Sequence, residues 1–290
     1  MSWPWETGPA RDHESSTVSK LVTRRPKMKK GIIMQKAISL VVNGRTLRGM
    51  HHIPKENGSF PTVIMYHGFM SSRLESRGIF VKLSRLLASR GFAAVRFDFS
   101  GSGESDGDFR DMTFSREVDE ALAILRFVES LPHTNPERIG IVGSSMGGAI
   151  ASIVAGKNAD IVKALTLWAA PSIDIVAGLE SRLKDEMRFP RNQRGDIDMG
   201  GLWLNHGFFE DLKNWDVFGS LRKYKGPAFL AYGTGDQLVP PATAINYEKA
   251  LPGPSILHYI EEADHGFNRC DWSDEVIKET VAFFSSELIK

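Results

Sequence analysis

From Lys36 onward, strand-length apolar runs alternate with helix-length amphipathic stretches. Residues 37–42 and 46–53 are strand-like and are joined by Asn43-Gly44, a pair at ease with the positive φ of a two-residue hairpin turn. The body therefore opens with an antiparallel hairpin. After it come six short runs, 62–66, 92–97, 138–142, 164–168, 228–232 and 256–260, rich in β-branched residues and apolar on both faces. Residues 79–90, 114–131, 146–157 and 274–288 carry the helical period instead. Strands that are apolar on both faces need helices on both. The pattern predicts an α/β fold with a mostly parallel, doubly wound sheet behind an N-terminal antiparallel hairpin.

Two stretches break the rhythm. Residues 1–33 are polar, aperiodic and basic toward their end, which predicts a flexible tail ahead of a folded domain over 34–290. Lys29-Lys30-Gly31 can be encoded by a purine-rich stretch like a bacterial ribosome-binding site, which makes Met34 a candidate start of the native chain. The second break runs from about 172 to 224, where a weak helical pattern carries Phe189, Trp203, Phe208, Phe209 and Trp215. Structureless loops of that length are uncommon in compact domains. This segment is expected to be a small cap, inserted between two strands and lying over their carboxyl ends, where open α/β sheets bind ligands.

Composition narrows the choice of partner. Lys and Arg total 36 against 35 Asp and Glu, too balanced to neutralise nucleic-acid phosphates or coat an anionic membrane. No apolar run approaches the roughly 20 residues of a membrane span. The single cysteine, Cys270, has no internal disulfide partner, and no Cys/His spacing marks a metal site. The expectation is a cytoplasmic protein without metal or cofactor, acting on a small molecule.

Candidate chemistry centres on Gly143-Ser144-Ser145-Met146-Gly147, placed between a predicted strand and a predicted helix. At such a turn a serine is held in a strained conformation above the sheet, and glycines two residues to either side avoid collision with neighbouring elements. Only Ser145 has glycine on both sides at that spacing, so it is the candidate nucleophile and Ser144 a packing residue. A serine hydroxyl needs a base, and the base needs an acid to fix its tautomer. Eight histidines are available. His265, in Asp264-His265-Gly266-Phe267 after the last predicted strand, has the right place for the base, while Asp236, in the Gly233-Thr234-Gly235-Asp236 turn, has the right place for the acid. Asp264 and Asp98 are the competing acids.

His67-Gly68-Phe69 follows the third predicted strand, so the backbone N–H groups of Phe69 and Met146 are the expected oxyanion donors. His67 itself reads as a loop-shaping residue. The Asp98-to-Gly107 stretch, rich in Gly and Ser, lacks the lysine of a phosphate loop and reads as a structural turn.

Together, His67-Gly68-Phe69, Asp98-Phe99-Ser100-Gly101-Ser102-Gly103-Glu104, Gly143-to-Gly148, Gly235-Asp236 and Asp264-His265 resemble the α/β-hydrolase superfamily over nearly everything after Lys36. The chain is most similar to small carboxylesterases with a short cap, the group that includes cinnamoyl and feruloyl esterases, and Gly200-Gly201-Leu202-Trp203-Leu204 resembles part of their caps. Met146 stands where those enzymes often carry glutamine. The resemblance implies a serine carboxylesterase that hydrolyses small to medium acyl or aryl esters through an acyl-enzyme without a cofactor. Trp203 is then a candidate substrate-binding residue. An acyl-peptide or aminoacyl peptidase of the same fold, and a non-catalytic ligand-binding member, are the alternatives.

Overall fold

The structure, a computed structural model, describes residues 34–185 and 187–289. The tail expected over 1–33 lies outside the described residues. The hairpin is β1 (Met34–Val42) and β2 (Arg45–Ile53), turning at Asn43 with φ 49° and Gly44 with φ 77°. Both values are positive, as a turn matched to strand twist requires. There follow β3 (Phe60–Tyr66), α1 (Ile79–Ser89), β4 (Ala93–Phe97), α2 (Phe114–Glu129), β5 (Thr134–Ser144), α3 (Met146–Lys157) and β6 (Val162–Trp168).

Eight strands form one sheet in the order β1-β2-β4-β3-β5-β6-β9-β10, where β9 is Ala228–Gly233 and β10 is Ser255–Ile260. The pairs β1–β2 and β2–β4 are antiparallel and the rest are parallel. This is the doubly wound sheet expected from the pattern and the α/β-hydrolase fold that the resemblance implied. Winding reverses between β3 and β5, whose carboxyl ends lie side by side with Tyr66 opposite Gly143. Such a reversal opens a crevice above the strand ends.

Alternation along each strand explains the two cores. Ile64 and Tyr66 of β3 pack with α2 and α3 on one face, while Val63 and Met65 pack with α1 and α9 (Cys270–Leu288) on the other. Helix α3 is buried at eleven of its twelve residues, which accounts for its uniformly small and apolar sequence.

Between β6 and β9 the chain forms α4 (Ile173–Ala177), α5 (Leu179–Arg182), the two-stranded pair β7 (Ile197–Asp198) and β8 (Trp203–Leu204), α6 (Gly207–Leu212) and α7 (Val217–Leu221). Phe208, Phe209 and Leu212 are buried there and join the α2–α3 core. Helix α8 (Thr243–Ala250) was not expected from the pattern, because it is short and its inward face carries Thr243 while Ile245 is exposed. Helix α9 begins at Cys270 rather than 274.

Helix α2 turns two carboxylates inward. Glu120 accepts hydrogen bonds from the Ser100 N–H (2.8 Å) and Ser100 O–H (2.5 Å). Glu117 Oε2 has no partner among the described residues. Burial raises the pKa of Glu117 well above the ordinary 4.5, and the charge of Glu120 adds to the effect. A carboxyl raised on folding is a penalty that is absent below its unfolded pKa and grows as pH rises above it. Glu117→Gln should therefore stabilise the fold by on the order of 1–3 kcal/mol at pH 8 relative to its effect at pH 4.5, read as the difference in melting temperature between variant and wild type. The same difference at both pH values would show that Glu117 does not change charge on folding.

Candidate active site

Ser145 sits at the junction of β5 and α3 with φ 51° and ψ −126°. A non-glycine residue in that region costs about 1–3 kcal/mol and persists only where its surroundings enforce it. They do so here through contact. A Cβ on Gly143 would lie 2.2 Å from the Gly147 carbonyl oxygen, and one on Gly147 would lie 2.2 Å from that of Tyr66 and 2.5 Å from that of His67. Only glycine lets α3 pass this close to β3. The Ser145 N–H donates to the Trp168 carbonyl (2.8 Å) and its carbonyl accepts from Gly148 N–H (2.7 Å).

His265 arrives on the loop after β10. Its Nε2 lies 2.8 Å from Ser145 Oγ and its Nδ1 2.7 Å from Asp236 Oδ2. The arrangement is consistent with Nδ1–H donating to the carboxylate and Nε2 accepting from the serine hydroxyl, the tautomer a general base needs. Asp236 follows β9, where its Oδ1 accepts from the N–H groups of Leu238 (2.8 Å) and Val239 (2.9 Å). Its side chain is fully enclosed, while that of His265 remains 20% exposed. The structure thus brings together the three residues expected from the sequence, from the carboxyl ends of β5, β9 and β10.

The competing groups are engaged elsewhere. Asp264 accepts from the Asn268 N–H (2.9 Å) and side-chain amide (3.0 Å), within its own turn. Asp98 accepts from Arg73 N–H (2.6 Å), from the Arg73 guanidinium and from Glu104 N–H (3.0 Å). His67 is buried; its Nε2 accepts from Phe99 N–H (3.0 Å) and its Nδ1 faces the Gly68 carbonyl (2.9 Å). With both nitrogens so engaged, neither is free to serve as a base, and burial lowers the pKa of the ring to about 4.

Two cavities meet at Ser145 and His265. One, of about 280 Å³, is walled by Phe69, Met70, Met146, Ile175, Val176, Leu179, Met199 and Leu238, and is almost wholly apolar. The other, of about 250 Å³, is lined by Ser71, Glu75, Ser76, Ser144 and Asn268. Phe69 borders both, and its ring stacks on Phe208 at 5.2 Å. Met146 opens α3, so its N–H is one of the first-turn donors that no intrahelical carbonyl can reach. A larger hollow of about 440 Å³, among Asp174, Lys213, Trp215 and Asp216, touches none of the three residues.

Trp203 departs from expectation. It is 36% exposed and lines neither cavity, because alternation on β8 turns Leu204 inward and Trp203 outward. Met199, on the other side of the same turn, contributes to the apolar wall instead. Sequence reading also missed Glu75, at φ 56° beside the site, whose only signal was its place a few residues after His67-Gly68-Phe69. Burial raises its pKa, opposed by hydrogen bonds from Gly68 and Ser76.

With this geometry in view, residues 61–193 match a family model described as alpha/beta hydrolase fold. The match takes in Ser145 and ends before Asp236 and His265. A human mitochondrial palmitoyl-protein thioesterase, ABHD10, is 22% identical over 254 residues, covering 82% of this chain and 78% of that protein. The structure of Est1E from Butyrivibrio proteoclasticus with ferulic acid has a TM-score of 0.76 at 23% identity, covering 88% of this chain and 100% of that one. That of mouse alpha/beta hydrolase domain-containing protein 10 has a TM-score of 0.68 at 20% identity, covering 87% and 99%. The chain has the α/β-hydrolase fold, matches that family over 61–193, and resembles small esterases. Among the described residues, no helix is long and apolar enough to cross a membrane, and no group of three or more His, Cys, Asp or Glu is placed to hold a metal ion.

The close passage of α3 over β3 gives a direct test. Gly147→Ala should destabilise the fold by about 1–3 kcal/mol or more, since both obstructing atoms are backbone oxygens that cannot turn aside. Urea denaturation measures this; unchanged stability would mean that the β3–α3 gap is wider than described.

Proposed function

We propose that this protein is a serine hydrolase of carboxylic esters that works through an acyl-enzyme on Ser145. The reading rests on one observation, the hydrogen-bonded series Asp236–His265–Ser145 at the mouth of an apolar cavity. In the first half-reaction His265 Nε2 takes the hydroxyl proton as Ser145 Oγ bonds to the acyl carbon. The oxyanion then formed is held by the N–H groups of Phe69 and Met146, at the positive end of α3. The bond to the leaving oxygen breaks, and that oxygen receives the proton from His265. Water repeats the sequence and releases the acid, while Asp236 keeps the imidazole oriented and offsets its positive charge.

The apolar cavity suits an acyl group of small to medium size. In this reading the segment between β6 and β9 acts as a cap, since Ile175, Val176, Leu179 and Met199 form one wall of that cavity. The names of the relatives supply two acyl classes to try, a long-chain thioester and a ferulic ester. A thioester demands the same steps with sulfur as the leaving atom.

Initial rates on p-nitrophenyl acetate, butyrate and octanoate, methyl ferulate and palmitoyl thioester are the test. Turnover is expected for at least one and should vanish in Ser145→Ala down to a residual left by binding and the oxyanion donors. Asp236→Asn should lower kcat by about 10⁴, because it disfavours the required tautomer. Folded wild-type protein that hydrolyses none of these, or Ser145→Ala with wild-type rates, would overturn the reading.

A further inference from the structure

Glu75 is, with His265, one of two ionisable side chains lining the polar cavity beside Ser145. Its backbone lies at φ 56°, a conformation that non-glycine residues adopt at a cost, at the corner leading into α1. The corner aims the carboxylate back at the loop after β3. Oε1 accepts from the Gly68 N–H at 2.5 Å and Oε2 from the Ser76 N–H at 3.1 Å.

The contact with Gly68 bears on the next residue. The Gly68 carbonyl is directed to His67 Nδ1 (2.9 Å) and accepts from the Ser71 N–H (3.2 Å). A trans peptide is planar, with its C=O and N–H pointing in opposite directions. The Gly68 oxygen, held by His67 and Ser71, therefore sets the direction of the Phe69 N–H, and Glu75 anchors the peptide before it, so that both planes flanking the Gly68 Cα are held. Room for adjustment is small, since a Cβ on Gly68 would stand 3.0 Å from the Cβ of Ser145 and 3.4 Å from Glu75 Oε1. The same corner reaches the histidine loop. Ser76 Oγ donates to Asn268 Oδ1 (2.5 Å), and Asn268 donates to Asp264, next to His265.

We propose that Glu75 is a positioning residue for the reaction: its carboxylate holds the Gly68 amide so that the Phe69 N–H is aimed at the oxyanion, and its corner ties that loop to the one carrying His265. The proposal rests on the reading of Ser145 as nucleophile, and the experiment separates the two. Wild type, Glu75→Ala and Glu75→Gln are compared on p-nitrophenyl butyrate for kcat and KM. Two probes are added, a trifluoromethyl ketone, which adds Ser145 to form a tetrahedral oxyanion, and the corresponding secondary alcohol, which only occupies the site.

Removing an oxyanion donor outright costs about 10²–10³ in turnover. Misaiming one through Glu75→Ala should cost about 10- to 100-fold in kcat, with KM changed less than about threefold. Ketone affinity should fall by the same factor as kcat while alcohol affinity holds. Glu75→Gln should recover most of the loss, because its amide oxygen can still accept from Gly68. Equal loss for ketone and alcohol, or wild-type kcat in both variants, overturns the proposal. Glutamine behaving like alanine overturns it as well, since the effect would then come from charge near His265. If Glu75→Ala fails to fold, Glu75→Asp, one methylene too short to reach Gly68, should show the same split between ketone and alcohol while Glu75→Gln stays near wild type, and Glu75→Asp with wild-type kcat overturns the proposal. Wild-type protein inactive on every ester removes the esterase reading and this role together, whereas active wild type with unaffected variants removes only the role.

Discussion

The turn at Ser145 is the constraint from which the site follows. Helix α3 starts one residue after β5 ends, and it passes over the end of β3 with no room for a side chain at Gly143 or Gly147. That proximity puts the first-turn amides of α3 beside the loop beginning at His67, and it lifts the Ser145 hydroxyl clear of the sheet. The conformational cost at Ser145, about 1–3 kcal/mol, is small against the burial of eleven residues of α3. A helix enclosed on every side has little freedom to shift, so the serine is presented in one place.

The remaining groups come from strand ends across the sheet. The winding reversal sets β3 and β5 side by side, whereas Asp236 and His265 follow β9 and β10 and reach back over β6. The carboxylate is enclosed but not isolated, because two backbone amides satisfy one oxygen and leave the other for the imidazole. Buried carboxylates off the site are less fully served. Glu117, on α2, has no partner for Oε2 among the described residues, and Glu120 relies on Ser100 in the turn after β4.

Much of this was legible in the sequence, for physical reasons that differ from residue to residue. Every strand of the main sheet announced itself through apolar runs, and the hairpin through Asn43-Gly44. The placement of Ser145, Asp236 and His265 beside one another followed from motifs tied to strand ends. What escaped has a common cause. Helix α8 is short and its pattern is blurred by a buried Thr243 and an exposed Ile245, and β8 is too short for alternation to show which way Trp203 faces. Glu75 acts through its backbone corner and a hydrogen bond to a main-chain amide, features that leave no mark on composition or spacing.

The walls of the apolar cavity have two origins. Phe69 and Leu238 stand beside Ser145 and His265 on loops anchored to the sheet and Met146 opens α3, while Ile175, Val176, Leu179 and Met199 belong to the segment between β6 and β9. That segment supplies none of Ser145, Asp236 and His265, nor either expected oxyanion donor. The three hydrogen-bonded residues and one wall of the chamber thus come from separate stretches of chain, which meet where Phe208 stacks on Phe69 and where Asp211 accepts from Ser115. Sequence drift in the inserted stretch can resize the chamber while Ser145, His265 and Asp236 keep their places, so two chains of this design can share that hydrogen-bonded series and still differ in what the chamber holds.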